Sequence, residues 1–142
     1  MARLIYVSRM TDAREMEAIH DILEKSRENN AARNITVILC YDPLFVLQCR
    51  EGPKNEVNAL YRRILRDDRP SDALLLGYKG VQERGFGNWK MAFIKRAEID
   101  PNTLLAFTRG EKLDPYVLSY ERAGNFLVTI AAQERERLDT QR

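Results

Sequence analysis

Tyr6, Gln48 and the pair Asn29-Asn30 are the polar residues of this chain whose positions invite a chemical role. Tyr6 falls midway along a run of strand formers with Leu4 on the same face, and Gln48 shares a face with Val46. If those faces meet helices, a phenol and a carboxamide are buried together, and both need partners. Asn29-Asn30 ends the first predicted helix and could reach the same space. A carboxamide carries donor and acceptor on one end, so turning it over, or moving its proton, changes what a neighbour receives. Singly, each residue has an ordinary explanation: a core tyrosine with its hydroxyl at the edge, an edge-strand glutamine, a helix C-cap.

Conventional catalytic sets do poorly. His20 is the lone histidine, on the first predicted helix among carboxylates, and reads as a surface residue. With Cys40 and Cys49 as the only thiols, nitrogen and sulfur ligands do not suffice for a closed zinc site, and no metal is expected. The two cysteines fall in predicted strands and read as inert buried thiols. Gly85-Phe-Gly87 precedes a short strand instead of opening a helix, which argues against a dinucleotide fingerprint. Arg66-Asp-Asp-Arg69 reads as a solvated helix end.

The elements that must position these residues follow from periodicity. At 142 residues, 44% apolar and 31% charged, the chain suits one globular domain burying about two-thirds of its unfolded surface. A net charge of +2 implies neither a basic nucleic-acid surface nor a polybasic membrane patch. No run reaches the length of a membrane span, and the N-terminus does not read as a signal peptide. Asn34-Ile-Thr36 matches a glycosylation sequon in an apolar context, and the reading is a cytoplasmic, reduced protein. Strands are predicted at about 4–8, 34–41, 44–50, 72–81 and 89–94, with helices from Asp12 to about Asn30 and from about Glu51. Val57, Leu60, Tyr61 and Ile64 form the second helix's apolar stripe. The fold class is α+β, a ferredoxin-like five-stranded sheet with two helices on one face. Asp100-Pro101 and Asp114-Pro115 each look like an N-cap with proline at the first helical position. The C-terminal helices they begin could cover the sheet's open face.

Four segments, Leu4-Ile-Tyr-Val-Ser8, Ser26-Arg-Glu-Asn-Asn30, Leu47-Gln-Cys-Arg-Glu-Gly52 and Asn88-Trp-Lys-Met91, together resemble the signature of BLUF domains, blue-light sensors using FAD. The resemblance spans about residues 3–95 in the expected order and spacing, and the tail resembles short stand-alone members more loosely. It implies that Tyr6 is the electron donor to a noncovalent, photoexcited flavin and that Gln48 is its hydrogen-bond neighbour, whose amide rearranges or tautomerises. It further implies that Asn30 holds the polar edge of the ring, with Asn29, Arg63 and Asp67 as added contacts, while Ile22 and Ile64 sandwich it. Trp89 and Met91 would form the switch segment. FAD is the implied cofactor, and the ring contacts would serve FMN equally. Residues 1–96 would be the photosensor and 97–142 a helical extension packing on the sheet or meeting partners.

Three departures from the family pattern stand out. The usual Gly-Ile-Thr-Gly reads Asn34-Ile-Thr-Val37, and Pro70 replaces part of an Arg-His pair, putting phosphate or ribityl contacts there in doubt. Cys49-Arg50-Glu51 stands where Val-Leu-Glu is common, which reads as an unusually polar exposed strand end. None of these is expected to touch the Tyr6–Gln48–Asn30 set. The expected function is a photoreceptor without enzymatic activity, signalling through a partner protein or a homo-oligomer. The rival is a ferredoxin-like small-molecule-binding module or enzyme with Tyr6 and Gln48 as ordinary pocket residues. An RNA-binding sheet fares worst, lacking the aromatic pattern and a basic excess.

Overall fold

The structure, a computed structural model, describes residues 1–9, 34–66, 71–83, 85, 91–108 and 112–140. Five strands, β1 (Ala2–Arg9), β2 (Thr36–Tyr41), β3 (Phe45–Gly52), β4 (Ser71–Gly80) and β5 (Met91–Lys95), form one sheet in the order β4-β1-β3-β2-β5. The pairs are antiparallel except β2 with β5, which run parallel. This is the expected α+β, ferredoxin-like sheet with a fifth strand added beside β2. The helix predicted from Asp12 to about Asn30 lies outside the described residues.

Local chemistry explains the turns. Asn34 has φ of 60°, a left-handed conformation that glycine adopts freely and asparagine tolerates better than most residues, so it can replace the family's glycine there. At the β2–β3 turn, Asp42 Oδ1 accepts from the amides of Leu44 at 2.6 Å and Phe45 at 3.1 Å, closing the hairpin around Pro43. Arg96 holds the second carboxylate oxygen at 3.0 Å and so ties the end of β5 to that turn.

The sheet is covered on both faces. On one, α1 (Lys54–Arg66) sets Val57 against Ala2, Leu4 and Tyr6, with Tyr61 and Tyr78 packing partly buried beside them. On the other, Ala123, Phe126, Leu127, Ile130 and Ala131 of α3 (Tyr120–Thr140) pack on Ile5, Val7, Ile38, Leu47 and Cys49. The C-terminal segment thus covers the open face, as expected. A side chain on Gly77 would collide with the Tyr120 ring, and that bare backbone lets α3 begin close against β4.

The tail's caps correct one expectation. Asp100 does cap α2 (Pro101–Thr108), accepting from the Asn102 amide at 2.8 Å. Asp114 caps only a single 3₁₀ turn at Pro115–Val117, through the Tyr116 amide at 3.1 Å. The long helix starts later, where Ser119 Oγ accepts from the Arg122 amide at 3.1 Å. Pro115 satisfies the first-turn geometry of either helix type, so the dipeptide alone does not set the length.

Candidate functional site

Tyr6 and Gln48 face each other across the adjacent strands β1 and β3. They are direct partners in the β1–β3 register, and the same row continues through Leu39 on β2 to Phe93 on β5. Directly opposed residues project to the same side of a sheet, and the Tyr6 cluster with Val57 fixes that side as the α1 face. Tyr6 is 3% and Gln48 7% exposed. Because β3 is the central strand, the edge-strand explanation for Gln48 does not apply.

A third polar residue joins them. Arg50 lies two positions beyond Gln48 on the same face, and its Nη2 donates to Gln48 Oε1 at 2.9 Å. Guanidinium has donors only, so the carboxamide must present its oxygen there and its NH₂ elsewhere. Arg50 is buried, which corrects the expectation of an exposed strand end that leaves the site untouched. The charge of arginine suggested exposure, whereas strand alternation from Val46 and Gln48 was the signal for burial. Burial raises the Tyr6 phenol above its ordinary pKa, while the Arg50 charge and hydrogen bonds with Arg50 and Gln48 oppose that rise.

Glu51 belongs to the opposite face and is also fully buried. Its Oε2 is held by Arg3 Nε at 2.9 Å and Nη2 at 2.7 Å, and both its oxygens accept from the Gly85 amide at 3.0 Å. The Gly-x-Gly fragment thus supplies a backbone donor to a buried carboxylate. This contact anchors the connection from β4 toward β5. Cys40 and Cys49 are buried free thiols, with burial pushing Cys40 up to about 12 and Cys49 well above its ordinary value. Both fit the inert reading.

Of the other residues singled out in the sequence, Arg63 is exposed in the last turn of α1. Ile64 stands one residue later in the same helix. Met91 opens β5, its backbone in register with Val37, which in turn pairs with Arg50. His20, Ile22, Asn29, Asn30, Asp67 and Trp89 lie outside the described residues.

The α1 face suits a flavin ring. A broad apolar floor of Leu4, Leu39 and Val57 carries a phenol, a carboxamide and a guanidinium, and the Arg50 Nε and Nη1 atoms are buried without a hydrogen-bond partner among the described residues. Buried donors of this kind call for acceptors such as ring carbonyls and nitrogens.

Comparison with known proteins agrees. The family described as "Sensors of blue-light using FAD" matches residues 1–92. The chain is 26% identical over 132 residues to the blue light- and temperature-regulated antirepressor BluF of Escherichia coli (strain K12), spanning 91% of this chain and 32% of that protein. It is 30% identical over 84 residues to a photoactivated adenylate cyclase subunit beta-like protein of Euglena gracilis, spanning 59% of this chain and 10% of that one. The chain thus spans about a tenth to a third of the length of these relatives. Among solved structures, BlrB, a BLUF protein in its dark state, superposes with a TM-score of 0.74 at 31% identity, covering 93% of this chain and 96% of that one. BlsA in its photo-activated state gives 0.77 at 26% identity, covering 92% and 94%. With residues 1–92 matched by the family model and the sheet shared with BlrB and BlsA, the chain belongs to the BLUF family of FAD-using blue-light sensors.

Proposed function

We propose that Tyr6 and Gln48 are the photoactive pair of this sensor and that Arg50 fixes the starting orientation of Gln48. The supporting observation is the direct opposition of a buried phenol and a buried carboxamide on the adjacent inner strands β1 and β3. Flavin bound on the α1 face and excited by blue light would supply a strong oxidant. Tyr6 would give up one electron to it and its phenolic proton through the adjacent carboxamide, and both would return to Tyr6 once Gln48 had rearranged or tautomerised. Gln48 would thereby exchange donor for acceptor at the ring edge. Asn30 and Asn29 hold the ring's polar edge, with Ile22 and Ile64 packing on it and Arg63 and Asp67 contributing further out.

Output follows from the sheet. Trp89 and Met91 pass the change to β5, which Met91 opens and whose parallel partner β2 lies beside Gln48's strand. Residues 1–96 act as the photosensor and 97–142 as the helical extension that presents the signal to a partner protein or a second copy of the chain. The chain turns over no substrate itself; the cyclase activity named for some relatives belongs to much longer proteins. It works in the cytoplasm, and no helix among the described residues is long and apolar enough to cross a membrane.

The test is the absorption spectrum of the protein reconstituted with FAD. The expected result is a yellow protein whose flavin band shifts reversibly to the red in blue light. A protein that takes up no flavin, or takes it up without any light-induced shift, contradicts the reading and favours a ligand-binding module without photochemistry.

A further inference from the structure

Arg50 stands on the central strand where the family commonly has leucine, and it is 6% exposed. One of its nitrogens is bonded to Gln48 Oε1, while Nε and Nη1 are buried and unpartnered among the described residues. Guanidinium stays charged at any pH the fold survives. A buried cation whose partners among the described residues are a neutral carboxamide and a phenol is costly. The adjacent carboxylate, Glu51, projects to the other face and is engaged by Arg3 and the Gly85 amide. Two buried donors without a partner among the described residues, on a cation beside the photoactive pair, suit a ligand rich in acceptors and able to carry negative charge.

We propose that Arg50 is itself a flavin-binding residue, its Nε–H and Nη1–H donating to acceptor atoms of the flavin and its charge favouring the flavin's reduced form. The inference rests on the flavin reading of the α1 face. Arg50 thus has two duties, orienting Gln48 with Nη2 and holding the cofactor with the rest of the guanidinium. It also adds a cation to a pocket that the common leucine leaves apolar.

The test compares wild type, Arg50→Leu and Arg50→Lys in FAD affinity by fluorescence quenching and in flavin midpoint potential by dye-linked reduction. Arg50→Leu should bind FAD about ten- to a hundredfold more weakly. Its midpoint potential should move to a more negative value. Arg50→Lys, which keeps the charge but not the planar donor set, should recover much of the potential and less of the affinity. The melting temperature of flavin-free Arg50→Leu should be no lower than wild type, because the substitution removes a buried charge that meets only neutral partners among the described residues. Undiminished affinity or an unmoved potential in Arg50→Leu overturns the role of Arg50 while wild-type binding upholds the flavin reading. A wild-type protein that binds no FAD overturns both.

Discussion

Arg50 Nη2 lies 2.9 Å from Gln48 Oε1, and the guanidinium decides which way the carboxamide faces. Turning Gln48 over would set its NH₂ against a group with donors only, two donors head to head. A rearranged amide is therefore less stable here than it would be beside leucine. Arg50→Leu should lengthen the lifetime of the light state by about fivefold, on the basis that one hydrogen bond is worth roughly 1 kcal/mol. Recovery in the dark after a blue pulse measures it. An unchanged lifetime would mean that the amide never turns against Arg50.

Tyr6→Phe should keep the flavin and lose the productive red shift. The ring still fills its place against Leu4 and Val57, while the hydroxyl that Gln48 and Arg50 address is gone. A normal photocycle in this variant, followed by visible spectroscopy, would remove Tyr6 from the mechanism.

Glu51→Gln should destabilise the fold without changing the flavin spectrum. The charge-assisted bonds to Arg3 and the Gly85 amide lie on the face opposite Tyr6 and Gln48. Arg3 is partly exposed, so solvent limits the loss, and about 1–3 kcal/mol is expected. Chemical denaturation gives the stability. A spectral change as large as that of a Gln48 variant would couple the two faces in a way this arrangement does not explain.

Alkaline pH should weaken the fold before it alters the dark site. Burial raises the pKa of Tyr6, and it raises Cys40 from 9.0 to about 12, so the folded state holds these protons more tightly than the unfolded chain does. Stability from Cys40 is then fully present below pH 9.0 and lost as pH rises toward about 12. Denaturation midpoints should be flat near neutrality and fall above about pH 9, with Cys40→Ala showing a shallower fall. An identical pH slope in that variant would contradict the assignment.

The Tyr6–Gln48 side of the site was legible because strand alternation is a strict period of two. Once Leu4 and Val46 are assigned to the core, Tyr6 and Gln48 follow them. The direct opposition of the two required the register, which depends on β1 and β3 being neighbours and is a property of the ferredoxin-like connection. Arg50 is less legible, because its charge argues for exposure while alternation with Val46 and Gln48 argues for burial, and in the fold alternation prevails. Asp114-Pro115 marked a helical start correctly in kind but not in length, since the Ser119 cap that begins α3 lies beyond it. Asn34 can stand in for the family's glycine because φ of 60° is open to both residues.

The most direct measurement is a light-minus-dark difference spectrum of Gln48→Leu beside wild type, both loaded with FAD. Leucine keeps the apolar bulk of the side chain on the central strand and removes the group whose donor and acceptor exchange is the switch. Wild type should show the red-shifted difference signal and recover in the dark. Gln48→Leu should bind flavin and show no such signal. If Gln48→Leu gives the wild-type shift with wild-type recovery, the switch does not reside in the Tyr6–Gln48 pair and the mechanism is wrong.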